Sequence, residues 1–215
     1  MTKNDLNHDA TQPIKSTGFA WYSIWWMALT RPGFRSYTLI LNDSFANATR
    51  ACWWVFSATM MVKLISMFIT GVADANVQHL PGAETSLWLG VIIGVASIPF
   101  AGGGSVLAML LGSLFANLSA KIFGGTGTFG STVYLTAAYV APISIIAGIV
   151  GLVPVVAFLF IPLGLYVFRL QVAVIQAAHR LTGMRSSVVV LIPTLLLFLL
   201  AYVFSLVANF IVNLG

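Results

Sequence analysis

The sequence is poor in charge: of its 215 residues, only 7% are Asp, Glu, Lys or Arg. A soluble domain carries about 25% charged residues, because its surface has to be hydrated. Hydrophobic residues make up 59% of this chain, which leaves too few polar side chains to cover a surface that faces water. The shortage of charge therefore excludes a soluble domain and predicts an integral membrane protein.

Cysteine and acidic residues are also scarce. Cys52 is the one cysteine, which excludes an internal disulfide and a cysteine-based metal site. The chain has five acidic residues, and none of them follows Glu84. The apolar part of the chain therefore has no carboxylate pair for acid–base chemistry, and it carries no serine-hydrolase elbow or zinc-protease motif. We predict that the protein is not an enzyme and uses no cofactor.

The first fifty residues are the most polar part of the chain. Residues 1–18 lack periodicity and predict a disordered cytoplasmic tail. Residues 19–50 predict an amphipathic segment that lies in the membrane interface, because tryptophan and tyrosine crowd in "FAWYSIWWMAL" and such rings prefer the headgroup level. A short helix at about 34–42 is expected to turn one apolar face to the membrane: Phe34, Tyr37 and Leu41.

Long apolar runs follow at roughly 51–73, 86–120, 131–152, 154–176 and 188–213. A helix needs about 20 apolar residues to cross a bilayer. The second run is too long for one straight crossing, since 35 residues extend about 52 Å against a hydrocarbon core of about 30 Å. Pro99 and the three glycines after it predict a break. The run then holds two crossings, or one crossing that follows an interfacial or re-entrant segment.

The basic residues decide between five and six crossings. With five crossings and a cytoplasmic N-terminus, every lysine and arginine outside the membrane lies on the cytoplasmic side: Lys3, Lys15, Arg31, Arg35, Arg50, Lys121, Arg180 and Arg185. With six crossings, the last three of these move outside, which the positive-inside rule disfavours. We predict an all-α bundle of five transmembrane helices over 51–213, with the second crossing at about 100–120 and residues 86–98 in the outer leaflet. The C-terminus is then external.

These lysines and arginines form no dense run or stripe, so the net charge of +5 predicts no nucleic-acid partner. The stretch Gly125-Thr-Gly-Thr-Phe-Gly130 matches the G-x-G-x-x-G pattern of dinucleotide-binding folds. That fingerprint needs a preceding strand and an acidic residue about 20 positions later, and here membrane helices flank the motif. We interpret it as a tight cytoplasmic turn whose glycines permit positive φ, with Ser131 or Thr132 as the cap of the next helix. We predict no nucleotide binding.

The sequence from this turn onward resembles the Yip-domain family, the Ypt/Rab-interacting membrane proteins. The resemblance covers roughly residues 50–205. It rests on a helix that ends in lysine, a glycine-rich turn, "GLVPVV" and a last cytoplasmic turn, with these residues in order: Lys121, Phe129, Tyr134, Ala138, Pro142 and His179. The family implies a non-enzymatic multi-pass protein that, in eukaryotes, works with small GTPases in vesicle traffic. The short N-terminal region favours a bacterial member, in the inner membrane, and a GTPase partner is expected only if the protein is eukaryotic.

Polar residues interrupt two of the apolar runs. Lys63 is twelve residues into the first run, at a depth where a charge costs about 2.5–3.5 kcal/mol on insertion scales. It either snorkels or bonds to backbone and hydroxyl groups, or it contacts a partner's carboxylate or a lipid phosphate. In the fourth run, a polar stripe follows one helical face, at spacings of 3, 4, 3 and 4: Tyr166, Arg169, Ala173, Gln176 and Arg180. This stripe is a candidate lipid or partner contact, or it snorkels. His179, near its end, is predicted to be exposed.

Small residues recur at every fourth position of the second run. We call this set the small-residue ridge: Gly104, Ala108, Gly112, Ala116 and Ala120. Small residues at this spacing let two helices approach closely. The ridge is expected to pack against another helix of the same chain, or to form a seam between identical chains.

These observations favour a membrane scaffold or adaptor that binds lipids, other membrane proteins or a second copy of itself. A small transporter or lipid-handling protein is the alternative, alone or as a homo-oligomer. Five crossings do not divide into two equal inverted halves, and the crossings hold no Asp or Glu relay. Both observations favour the scaffold.

Overall fold

The computed structural model describes residues 18–70, 87–152 and 158–214. In these ranges the chain forms seven helices and no strand, which confirms the all-α fold. The helices are α1 (Trp21–Thr30), α2 (Phe34–Leu41), α3 (Ala48–Thr70), α4 (Leu87–Ile122), α5 (Phe129–Gly151), α6 (Phe160–His179) and α7 (Gly183–Leu214). The predicted tail over 1–18 lies outside the described residues, apart from Gly18.

Four helices are long and apolar enough to cross a membrane. They are α3 over Ala48–Ile69, α4 over Ile92–Ile122, α5 over Phe129–Gly151 and α6 over Phe160–His179. The fifth predicted crossing falls on α7, a helix of 32 residues whose described apolar stretch is Gly183–Leu195. The fold is thus that of a multi-pass membrane protein, and the crossing by α7 stays a prediction.

The helix α4 is continuous over 36 residues and contains Pro99, so the break predicted there is wrong. Membrane helices tolerate proline because neighbouring groups can satisfy the freed backbone. The nearby Gly102 is a contact point instead: a Cβ at this position would lie 2.8 Å from carbons of the Phe56 ring on α3. The close approach of two helices therefore outweighs the low helix propensity of glycine.

The helices α1 and α2 form a hairpin that packs along the bundle, α1 against α5 and α2 against α6. Near the turn between α1 and α2, the Tyr166 hydroxyl donates a hydrogen bond to the carbonyl of Leu29. Tyr166 precedes His179 by thirteen residues on α6, or about 20 Å of helix. The buried face of the hairpin joins the main core through Ile24, Ala28, Tyr37 and Ile40.

Tyr37 was expected to face the membrane, but it is fully buried within the protein, and its hydroxyl donates to the carbonyl of Ala28 at 3.3 Å. An apolar helix face covered by lipid and one covered by protein have the same periodicity, so the sequence does not distinguish them. The placement of residues 19–50 at the headgroup level stays a prediction.

Candidate functional site

A buried carboxylate joins the hairpin to the membrane helices. Asp43 follows α2, and its Oδ2 lies 2.7 Å from Nη1 of Arg50 on α3. The hydroxyl of Tyr134 on α5 donates to the same oxygen at 2.6 Å, and the amide of Phe19 donates to Oδ1 at 3.1 Å. Arg50 also donates to the carbonyl of Phe19 at 3.0 Å. We call Asp43, Arg50 and Tyr134 the Asp43 anchor, because they tie the start of α1 and the end of α2 to α3 and α5.

The charges of the Asp43 anchor are mutually compensated. Burial by itself raises the pKa of the Asp43 carboxyl, but hydrogen bonds from Tyr134, Phe19 and Phe45, together with the charge of Arg50, hold this pKa below its ordinary value of 3.8. The Arg50 guanidinium also lies 4.9 Å from the centre of the Trp54 ring, within reach of a cation–π interaction. The carboxylate therefore stays ionised while its side chain is inaccessible to water.

Sequence reasoning missed the Asp43 anchor. The stretch Asn42-Asp43-Ser44 has the form of a glycosylation sequon, but the predicted topology places it on the cytoplasmic side. The feature that could have indicated it is an isolated acidic residue near an arginine. Asp43 is the one acidic residue between Asp9 and Asp74, and Arg50 follows it by seven positions. Its partner on α5 lies 91 residues away, and no local pattern indicates that contact.

The glycine-rich turn between α4 and α5 packs on the last turn of α6. The amide of Thr126 donates to the carbonyl of His179 at 3.3 Å, and Thr132 Oγ1 lies 3.0 Å from Nε2 of His179. A Cβ on Gly125 would lie 2.8 Å from Nδ1 of the same histidine. His179 is 1% exposed, so the expectation of an exposed helix-end residue is wrong. The contact joins two turns that the sequence treats as separate.

The glycines of this turn serve close approach more than backbone conformation. Positive φ occurs at Gly124, whereas a Cβ on Gly127 would overlap the carbonyl of Ala178. The predicted capping residues are also shifted. Thr128 is the N-cap of α5 and forms a capping box with Ser131, while the Thr132 hydroxyl donates to the Thr128 carbonyl at 3.1 Å.

The predicted polar residues of the membrane helices lie on two helices, α3 and α6. Lys63 is exposed on α3 and has no hydrogen-bond or ion-pair partner among the described residues. Tyr166 binds the hairpin, and Arg169 close to it is exposed. Gln176 is half-buried, with its Nε2 placed 2.8 Å from where a Cβ on Gly183 would lie. No contact joins Lys63 to the α6 residues in the described part of the chain, and the contacts of all four residues with lipid or partner stay predictions.

The small-residue ridge is buried at only one end. Ala120 is fully buried and Ala116 is half-buried, but Gly104, Ala108 and Gly112 are exposed. A Cβ on Gly104 or Gly112 would meet no described atom within 4 Å. The expectation that the whole ridge packs against another helix of the same chain is therefore wrong. The helix buries an adjacent face instead, made of Gly102, Met109, Ser113 and Asn117. A four-residue spacing of small side chains predicts a helix face without large side chains, but it does not show whether protein or lipid covers that face. A seam between two copies stays a prediction.

A groove rich in tryptophan lies between α1 and α3. It has a volume of about 410 Å³, and four tryptophans line it together with Met61 and Ile145: Trp21, Trp25, Trp53 and Trp54. The rings of Trp25 and Trp21 meet edge to face, with their centres 4.9 Å apart. We call this feature the tryptophan groove. It places large aromatic surfaces at the outside of the bundle.

The chain matches a known protein family over most of its length. The model described as the Yip1 domain matches residues 28–205, which include most of the hairpin and all of the helices from α3 to α6. No curated protein and no solved structure matches the chain. The protein is therefore a multi-pass membrane protein that belongs to the Yip1-domain family.

Proposed function

We propose that the protein is a non-enzymatic membrane scaffold that binds a partner protein at the tryptophan groove. In this proposal the protein lies in the inner membrane of a bacterium and crosses it five times, with its N-terminus in the cytoplasm and its C-terminus outside.

The observation that carries this proposal is the exposure of the aromatic side chains on a fixed support. Two tryptophans that line the groove are largely exposed, Trp53 at 67% and Trp21 at 52%. The Asp43 anchor holds α1 beside α3 through the backbone of Phe19. A rigid aromatic surface loses little conformational entropy on binding, and tryptophan and tyrosine are enriched among residues that dominate binding energy. The groove therefore suits an apolar helix of another membrane protein.

The topology rests on the described contacts and on charge. His179 contacts Thr132, so the turn after α4 and the turn after α6 lie at the same end of the bundle. The Asp43 anchor meets α5 only two residues further along, at Tyr134. Lys121, Arg180 and Arg185 belong to the same end, which the positive-inside rule assigns to the cytoplasm.

Site-specific photo-crosslinking in the native membrane tests the scaffold. Trp53 is replaced by p-benzoylphenylalanine, and Leu165, which is 70% exposed on α6, serves as the matched control. We expect a discrete protein adduct from position 53 and none of the same mass from position 165. Identical adducts at both positions, or none at position 53, would contradict partner binding at the groove. Selective solute flux through reconstituted vesicles, without such an adduct, would favour the alternative of a transporter.

A further inference from the structure

A second cavity lies inside the bundle, among α3, α4, α5, α6 and α7. Its volume is about 360 Å³, within the range of small-molecule sites. Each of these helices contributes a hydroxyl or carboxamide to its wall: Thr59, Ser113, Thr136, Gln171 and Thr194. The first four of these side chains belong to candidate membrane spans, so the membrane-spanning part of the bundle forms this wall. On α3, Val55 and Thr59 face it from the side opposite Trp53 and Met61.

One fully buried hydroxyl in this wall has no partner among the described residues. Ser113 is 2% exposed, and its Oγ forms no hydrogen bond with any described residue. A buried hydroxyl without a partner is unfavourable, so the cavity offers a hydrogen bond that the protein itself does not satisfy. In contrast, the hydroxyls of Ser144 and Thr194 already donate to carbonyls of their own helices, at 2.7 Å and 2.8 Å.

The wall also defines the charge and polarity of an occupant. Among the described residues that line the cavity, none carries a charge, and aliphatic and aromatic side chains such as Met109, Phe115 and Val174 form much of the surface. Twelve of the twenty residues that line the cavity are apolar, and water hydrates such a wall poorly. An apolar chain that carries one or two acceptor oxygens fits better.

The cavity has an opening beside the small-residue ridge. Ala108, Gly112 and Ala116 line it, and both Ala108 and Gly112 are exposed on the outside of α4. A Cβ on Gly112 would meet no described atom within 4 Å. The small size of these residues leaves a path between the cavity and the surrounding bilayer, where lipid is the most abundant ligand.

We propose that this cavity binds the ester-linked acyl chain of a membrane glycerolipid, with the ester carbonyl accepting a hydrogen bond from Ser113. The chain enters past Gly112 and packs on the apolar wall. The site goes beyond the scaffold proposal, because it lies on the other face of α3 from the tryptophan groove and needs no protein partner.

Photolabelling of the full-length protein in vesicles tests this site. The vesicles contain phosphatidylglycerol and phosphatidylethanolamine, with a trace of diazirine-acyl phosphatidylglycerol in one arm and diazirine-acyl diacylglycerol in the other. After irradiation, mass spectrometry maps the adducts. We expect adducts on cavity residues of α4, α5 and α6 in at least five-fold excess over the exposed Leu165. Labelling by both probes identifies a bilayer phospholipid, and labelling by diacylglycerol alone identifies a lipid without a headgroup. A lack of excess with both probes would overturn the site.

Two variants separate the cavity from the rest of the membrane surface. Gly112→Leu places a side chain in the opening, and the open space at this position lets the protein fold. We expect cavity labelling to fall at least five-fold, while labelling at Leu165 is unchanged. Leu111→Phe, one position away and outside the cavity, is the matched control and should label as the wild type does. Ser113→Ala removes only the hydroxyl and should lower cavity labelling about three-fold. Wild-type labelling of both Gly112→Leu and Ser113→Ala would refute the proposal.

Discussion

The hydroxyl of Tyr134 donates a 2.6 Å hydrogen bond to Oδ2 of Asp43, across 91 positions of the sequence. Both side chains are almost completely buried, and Arg50 contacts the same carboxylate oxygen. This contact connects the N-terminal hairpin to α5, the central helix of the bundle. The position of the tryptophan groove depends on it, because Phe19, bound by the same carboxylate, leads directly into α1.

Removal of the Tyr134 hydroxyl should therefore destabilise the protein. Tyr134→Phe keeps the ring, whose centre lies 5.3 Å from that of Trp54, but leaves the carboxylate without one donor. Hydrogen bonds to charged groups contribute about 1.5–3 kcal/mol, and we expect a loss of about 2 kcal/mol in the free energy of unfolding. Denaturant titration of the protein in mild detergent measures it. Tyr22→Phe, at an exposed tyrosine, is the control, and an equal effect of both changes would contradict the role of the contact.

The Asp43 anchor should also make stability dependent on acid. The pKa of Asp43 is lowered in the folded protein, so its contribution to stability is fully present above the ordinary value of 3.8 and is lost as pH falls through the lower folded value. We expect the melting temperature to decrease below about pH 4. Asp43→Asn should cost about 3 kcal/mol at neutral pH, and it should flatten this acid-dependent decrease. The same decrease in both proteins would assign the effect to other groups.

The glycine-rich turn provides a test of close approach. Gly127→Ala adds a Cβ that overlaps the carbonyl of Ala178, whereas Gly130→Ala adds one that meets no described atom within 4 Å. Overpacking of this kind costs about 1–3 kcal/mol, so the first change should lower thermal stability and the second should not. Thermal unfolding in detergent compares the two proteins. If Gly127→Ala has the same melting temperature as the wild type, the turn is not held against α6 as described.

The number of crossings can be measured with reporter fusions. We expect fusions after Gly127 and after Gly183 to report a cytoplasmic location, and a fusion at Gly215 to report an external one, because α7 then forms the fifth crossing. A cytoplasmic signal at Gly215 would contradict the five-crossing topology. The charge argument can be tested separately. Replacement of Arg180 and Arg185 by neutral residues should make the orientation of the last crossing less uniform in the same reporter assay.

The sequence by itself determined the class of protein, its helical fold and its family. These properties depend on quantities that are local or summed along the chain: the length of apolar runs, the scarcity of charge and the order of turns. The start of α5 at Phe129 and the end of α6 at His179 lie within a few residues of the predicted bounds, because a helix that crosses a membrane has to satisfy its own backbone hydrogen bonds.

Only the tertiary structure decided which face of each helix meets another. Pro99 predicted a break from local propensity, but α4 continues through it because packing, such as that of Gly102 on Phe56, outweighs that propensity. His179 was expected in water and lies under the glycine-rich turn, and Gly112 was expected in a helix contact and lines a cavity. In a chain this apolar, faces toward lipid and faces toward protein have the same composition. Contacts between residues far apart in sequence, such as Asp43 and Tyr134, therefore distinguish them, and no local pattern does.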